Sequence, residues 1–104
     1  MAQLVITPVA TADLMEIYAY LLAEAGMSTA EKYRQEFDAL YEHLVSYPES
    51  CPLRPGVARQ TRMGVVSPYI LLYRYLRADD IVLVQRVVHG ARRITGKMLR
   101  ERKS

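Results

Sequence analysis

The chain has 104 residues, 51% of them apolar and 24% charged, a balance that suits one globular domain and excludes intrinsic disorder. No apolar run approaches the ~20 residues of a membrane helix, and a single cysteine, Cys51, excludes an internal disulfide. The net charge of +3 hides an asymmetry: residues 1–53 hold two basic and eight acidic side chains, net −6, and residues 54–104 hold twelve basic and three acidic, net +9.

Gln3–Ile6 is a short β-prone run closed by Thr7-Pro8. Threonine at a cap and proline at the first helical position predict a helix start, because proline lacks an N–H that would stay unpaired there. Ala10, Leu14, Ile17, Tyr18, Leu21 and Leu22 form one apolar stripe, and Gly26 stands where a left-handed C-terminal cap is wanted. Ser28, with Glu31 three residues on, predicts a capping box that opens a second helix. Its stripe is Tyr33, Phe37, Leu40, Tyr41 and Leu44, and Pro48 stops it. Two amphipathic helices joined by about three residues predict an antiparallel hairpin.

Residues 48–58 (PESCPLRPGVA) hold three of the five prolines and read as a loop. Beyond them the period turns from helical to extended. Arg59–Val66, Tyr69–Leu76 and Ile81–His89, separated by Ser67-Pro68 and Arg77–Asp80, predict a three-strand antiparallel meander. From Gly90 the chain is basic and weakly apolar, a short helix or an arm. The predicted architecture is α+β: a short N-terminal strand, then an antiparallel helical hairpin packed on one face of a mainly antiparallel sheet that ends in the meander. One domain spans 1–104, with a basic tail from residue 90 onward.

The last strand, IVLVQRVVH, does not alternate cleanly. Strict alternation puts Ile81, Leu83, Gln85, Val87 and His89 on one face and Val82, Val84, Arg86 and Val88 on the other. Both faces are then largely apolar, which predicts either a partner on the outer face or a strand at the sheet centre covered by a loop or the tail.

Ten of the twelve basic residues after position 53 are arginines, which favour planar, bidentate contacts with phosphate or carboxylate and call for an acidic partner. His43 lies beside the second stripe and reads as structural or solvated rather than as a ligand. His89 ends the last strand, followed by Gly90-Ala91-Arg92-Arg93. Histidine is the usual proton carrier near neutral pH, though at a strand end it also serves simply to cap the sheet. Asp79-Asp80 fall in a turn, where aspartate is expected for backbone reasons. The sequence holds no P-loop, no GxGxxG, no GxSxG and no metal-spaced His/Cys/Asp set. The opening MAQLVITPVA has neither the charged start nor the long apolar stretch of a signal peptide, so a cytoplasmic protein is expected.

Four segments, ITPVATADLMEIYAYL, LVSYPESCPLRPGV, SPYILLYRYL and VLVQRVVHGARRI, resemble in order and spacing the ParE branch of the RelE/ParE toxin superfamily. The resemblance runs over about residues 4–94, and its most specific parts are Tyr73-Arg74 and Val87-Val88-His89-Gly90-Ala91-Arg92. It implies the RelE/ParE-like fold and the toxin role in a type II toxin–antitoxin system. ParE-like members inhibit DNA gyrase by binding it. RelE-like members cut mRNA on the ribosome with basic residues on the sheet and a C-terminal residue, often tyrosine. Both kinds are neutralised by an antitoxin encoded alongside, here ParD-like, whose C-terminal segment wraps the toxin's helices and sheet. Operator DNA is met only through that antitoxin.

Where many nuclease members place a tyrosine after the last strand, this chain has Gly90, and no tyrosine follows up to Ser104. The leading expectation is therefore a ParE-like toxin without chemistry of its own. Its target-contacting residues are Arg59, Arg62, Arg74, Arg86, Arg92, Arg93 and Lys97. The alternative is a RelE-like ribonuclease using His89 for proton transfer and Arg62, Arg74 and Arg86 for charge on the phosphate. A third reading is a family member that only binds its antitoxin within a DNA-binding repressor complex. None of the three calls for a metal, a cofactor or a membrane.

Overall fold

Chain direction at each end of the first helix is set by single residues. Thr7 closes β1 (Gln3–Ile6), and its hydroxyl accepts from the Ala10 amide at 3.1 Å, with Pro8 opening α1 (Pro8–Ala25). The same residue ties the helix start to the sheet, its amide donating to the Val84 carbonyl at 3.1 Å and its hydroxyl to the Gln85 carbonyl at 3.3 Å. The structure, a computed structural model, describes residues 1–54, 56 and 60–90.

The helical hairpin is tighter than the sequence predicts. Gly26 alone links α1 to α2 (Met27–Ser46), at φ 92° and ψ 172°, a backbone that side chains rarely adopt and that differs from the expected left-handed helical cap. Its amide donates to the Leu21 and Leu22 carbonyls, while its carbonyl already accepts from Ala30. One glycine thus ends one helix and caps the next. The second helix starts at Met27 without a side-chain cap, so the predicted capping role of Ser28 is not realised.

Three further elements follow: β2 (Arg62–Val66), β3 (Tyr69–Leu76) and β4 (Ile81–His89). β2 begins three residues after the predicted Arg59, because the preceding segment turns through Gln60 at φ 62°. Leu53 bridges to Arg62, and the Arg54 amide donates to the Thr61 carbonyl at 2.7 Å. The sheet order is β1-β4-β3-β2, with β1 parallel to β4 and the other pairs antiparallel. The last strand in sequence is therefore central.

A bulge explains its broken alternation. Leu72 faces Arg86 and Tyr73 faces Val84, which leaves Gln85 as the extra residue on β4. Val82 and Val84 enter the core before the bulge, and Val87 enters it afterwards. Strict alternation had put Val87 on the opposite face from Val82 and Val84; the inserted residue reverses the phase. Leu72 and Val88 are buried too, outside the core cluster, so the sheet face away from the helices is covered there rather than open.

The core joins Ala10, Leu14 and Leu21 of α1, Phe37 and Leu44 of α2, and Tyr69, Leu71 and Tyr73 of β3. Phe37 is fully buried, its ring 6.2 Å from both Tyr18 and Tyr69; burying such a side chain stabilises by about 1.5–3 kcal/mol. Leu22, assigned to the α1 stripe by its spacing, is 52% exposed. It joins Met15, Tyr20 and Met27 as exposed apolar side chains of the hairpin. Among the described residues, no helix is long and apolar enough to cross a membrane.

Candidate functional site

The described arginines of β2, β3 and the β3–β4 turn meet in a cleft of about 540 Å³, lined by Glu49, Leu53, Arg62, Arg74, Arg77 and Asp79 among others. The β2–β3 register sets Arg62 opposite Tyr73. Arg62 Nη1 donates to the Glu49 carbonyl at 3.1 Å and the Cys51 carbonyl at 2.7 Å, while Nη2 stands 3.5 Å from the Glu49 carboxylate. The Tyr73 hydroxyl donates to the Pro48 carbonyl at 2.9 Å, and burial pushes its ionisation above the ordinary phenol range. Arg77 closes on the Glu49 carboxylate from the turn. One carboxylate therefore bridges two guanidinium groups. Arg74 is half-buried, and among the described residues its Nε has no hydrogen-bond partner. Guanidinium groups so placed are suited to an anionic partner.

His89 lies at the other end of β3. A groove of about 490 Å³ there is lined by Ile17, Tyr20, Leu21, Tyr33, Tyr69 and His89 among others. The Tyr69 ring meets the edges of Tyr33 at 5.7 Å and His89 at 5.8 Å. Burial raises the ionisation of the Tyr69 hydroxyl, and Tyr33 and Tyr20 nearby raise it further. The ladder pairs His89 with Tyr69 but Leu83 with Arg74. Tyr69 and Arg74 are five positions apart on β3, about 17 Å along a strand that rises ~3.4 Å per residue.

Arg86 belongs to neither region. It is 2% exposed, and it is held by Asp13, with Nε 2.7 Å from Oδ2 and Nη2 3.1 Å from Oδ1. The Asp13 Oδ2 also accepts from the Val87 amide at 3.0 Å. This arrangement follows from topology. β1 ends its pairing at Val84, and α1 turns away at Thr7, so Asp13 takes up a β4 amide that β1 no longer reaches. The expected target-contacting or phosphate-binding role of Arg86 is corrected accordingly, since the guanidinium lies inside the fold on an internal carboxylate. The set His89, Arg62, Arg74 and Arg86 is not brought together.

Asp13 was missed from the sequence, although a signal was present. It stands three residues after Ala10 and four before Ile17, on the inward stripe of α1, where a carboxylate requires a buried partner. His43 is exposed, with its ring against Tyr47 at 5.3 Å and its Nε2 3.0 Å from the Ser50 hydroxyl. Gly90 has a packing role. Its amide donates to the Pro68 carbonyl at 2.7 Å, and a Cβ there would stand 2.9 Å from that oxygen. Arg59, Arg92, Arg93 and Lys97 lie outside the described residues. Among the described residues no group of three or more His, Cys, Asp or Glu side chains is placed to hold a metal.

Residues 4–94 match the family model of the ParE toxin of type II toxin–antitoxin systems, parDE. No curated protein sequence matches the chain. Among solved structures, the chain is similar to a chain of a chromosomal ParDE toxin–antitoxin system from P. aeruginosa, with a TM-score of 0.71 and 22% identity over 86% of this chain and 96% of that one. It is also similar to a chain of the RelBE2 toxin–antitoxin complex of Mycobacterium tuberculosis, with a TM-score of 0.58 and 23% identity over 85% of this chain and 96% of that one. The isolated E. coli RelE toxin gives a TM-score of 0.58 and 16% identity over 89% of this chain and 88% of that one. At these identities the structural likeness establishes the fold.

Proposed function

The chain belongs to the ParE toxin family of type II toxin–antitoxin systems, and we propose that within it this protein is a gyrase-binding toxin rather than a nuclease. The carrying observation is that the nuclease set does not assemble. Cleavage by 2′-hydroxyl attack needs a base, an acid and positive charge around one phosphodiester. Here His89 pairs with Tyr69, five positions along β3 from Arg74, and Arg86 is held by Asp13 in the interior. A toxin that works by binding needs surface rather than a proton relay. The basic groups proposed to meet gyrase, or gyrase with its DNA, are Arg62 and Arg74 of the cleft together with Arg59, Arg92, Arg93 and Lys97.

An antitoxin is the second proposed partner. The solved relatives include chains from a ParDE system and a RelBE2 toxin–antitoxin complex, which supports a cognate ParD-like antitoxin. The exposed Met15, Tyr20, Leu22 and Met27 of the hairpin give such a partner apolar surface to cover. A cytoplasmic location fits this reading.

The test is induction of the chain without antitoxin. Double-strand breaks, an SOS response and gyrase–DNA adducts with intact mRNA are the expected result. Codon-positioned mRNA cleavage with undamaged DNA would overturn the reading in favour of a RelE-like ribonuclease. Normal growth from well-expressed protein would leave the antitoxin-binding module alone. Charge reversal at Arg92 and Arg93 is expected to abolish toxicity while antitoxin binding survives.

A further inference from the structure

We propose that the cleft formed by Arg62, Arg74 and Arg77 is an oxyanion site that takes a phosphate group, and that Glu49 is its internal occupant, which a ligand must displace. The inference does not depend on the gyrase reading, and its test involves no gyrase.

Four observations converge on it. The Glu49 carboxylate already bridges Arg62 and Arg77, as an external oxyanion would. Arg62 is fixed independently of that carboxylate, because its Nη1 bonds the backbone carbonyls of Glu49 and Cys51; a guanidinium held this way stays in position when Glu49 leaves, so little ordering remains for a ligand to impose. The Arg74 Nε is buried and, among the described residues, without a hydrogen-bond partner, a donor left over by the fold. Finally, Glu49 is held weakly. Its side chain is 46% exposed and that of Arg77 is 76% exposed, and ion pairs this open to water and salt are readily exchanged.

Charge decides the ligand class. Among the described lining residues, three guanidinium groups face two carboxylates, Glu49 and Asp79. Withdrawal of Glu49 raises the positive excess from one to two, which matches a phosphate better than a neutral ligand. The cleft is also larger than one carboxylate requires, at about 540 Å³. Glu49 acts as a gate: anions lacking the charge to replace it are excluded, and a phosphate that replaces it frees the loop segment carrying Glu49 from Arg77.

The experiment is titration of the purified full chain with inorganic phosphate at constant ionic strength, read by amide chemical shifts at Arg74 and Arg77 and by calorimetry. Saturable binding is expected, tightened about tenfold in Glu49→Gln, the equivalent of one charge-assisted contact. The tightening is expected to vanish in Glu49→Gln/Arg74→Gln. Thermal melts check that each variant is folded, and Glu49→Asp and Arg74→Lys supply milder changes should either glutamine variant fail to fold, each with an intermediate effect. Equal affinity in wild type and Glu49→Gln would overturn the proposal, as would tightening that survives loss of Arg74. A parallel arm uses a short single-stranded oligonucleotide. A gain confined to inorganic phosphate assigns a free phosphate, and a gain shared by the oligonucleotide assigns a phosphodiester as well. No gain with either ligand overturns the site.

Discussion

Asp13→Ala tests the buried ion pair directly. The carboxylate is 4% exposed and, among the described residues, accepts two bonds from the Arg86 guanidinium and one from the Val87 amide. Removing one partner of a buried pair leaves the other charge uncompensated and costs about 3–5 kcal/mol. The orphaned Val87 amide adds about 1–3 kcal/mol. A loss on the order of 4–8 kcal/mol is therefore expected, against a total stability of ~5–15 kcal/mol for a domain of this kind. Urea unfolding followed by circular dichroism reads it: with a slope of roughly 2 kcal/mol/M, the midpoint falls by about 2–4 M, or the variant is unfolded in buffer. Asp13→Ala/Arg86→Met, which removes the stranded charge as well, is expected to be more stable than Asp13→Ala. A midpoint within about 0.5 M of wild type for Asp13→Ala, or a double variant no better than the single one, would refute the account of Arg86 as an internal structural cation.

Tyr41 has a buried hydroxyl without a partner among the described residues, so Tyr41→Phe is expected to be neutral or stabilising by about 1 kcal/mol; a destabilised variant in the same urea assay would reveal a bond to that hydroxyl. Gly90→Ala places a methyl 2.9 Å from the Pro68 carbonyl oxygen, with an expected cost of about 1–3 kcal/mol and a melting temperature lower by several degrees. Alkaline pH is expected to weaken the fold, because burial raises the ionisation of the Tyr41, Tyr69 and Tyr73 hydroxyls above the ordinary value. Their contribution is fully present below the unfolded tyrosine value near pH ~10 and is lost as pH rises through the folded values; equal urea midpoints at pH 9 and pH 11 would contradict it.

Much of this protein was legible locally. Thr7-Pro8 caps α1, Pro48 stops α2, and β1, β3 and β4 have the predicted bounds, since caps, breakers and β-branched runs act within a few residues of themselves. The ordered segments over 4–94 also carried the family. Other features depended on partners distant in sequence. The phase reversal at Gln85 is a property of the β3–β4 register, which no pattern within one strand encodes. The fate of the arginines is of the same kind. Their number and clustering were visible, but an arginine becomes a surface contact or an internal tie according to the carboxylate that tertiary packing brings to it. Arg86 meets Asp13 73 positions away, Arg62 and Arg77 share Glu49, and the Arg74 Nε is buried without a partner among the described residues. Composition determined that this half of the chain is basic; among the described residues only the fold decided which of its charges face outward, because pairing is settled by distance in space and burial, to which sequence separation is blind.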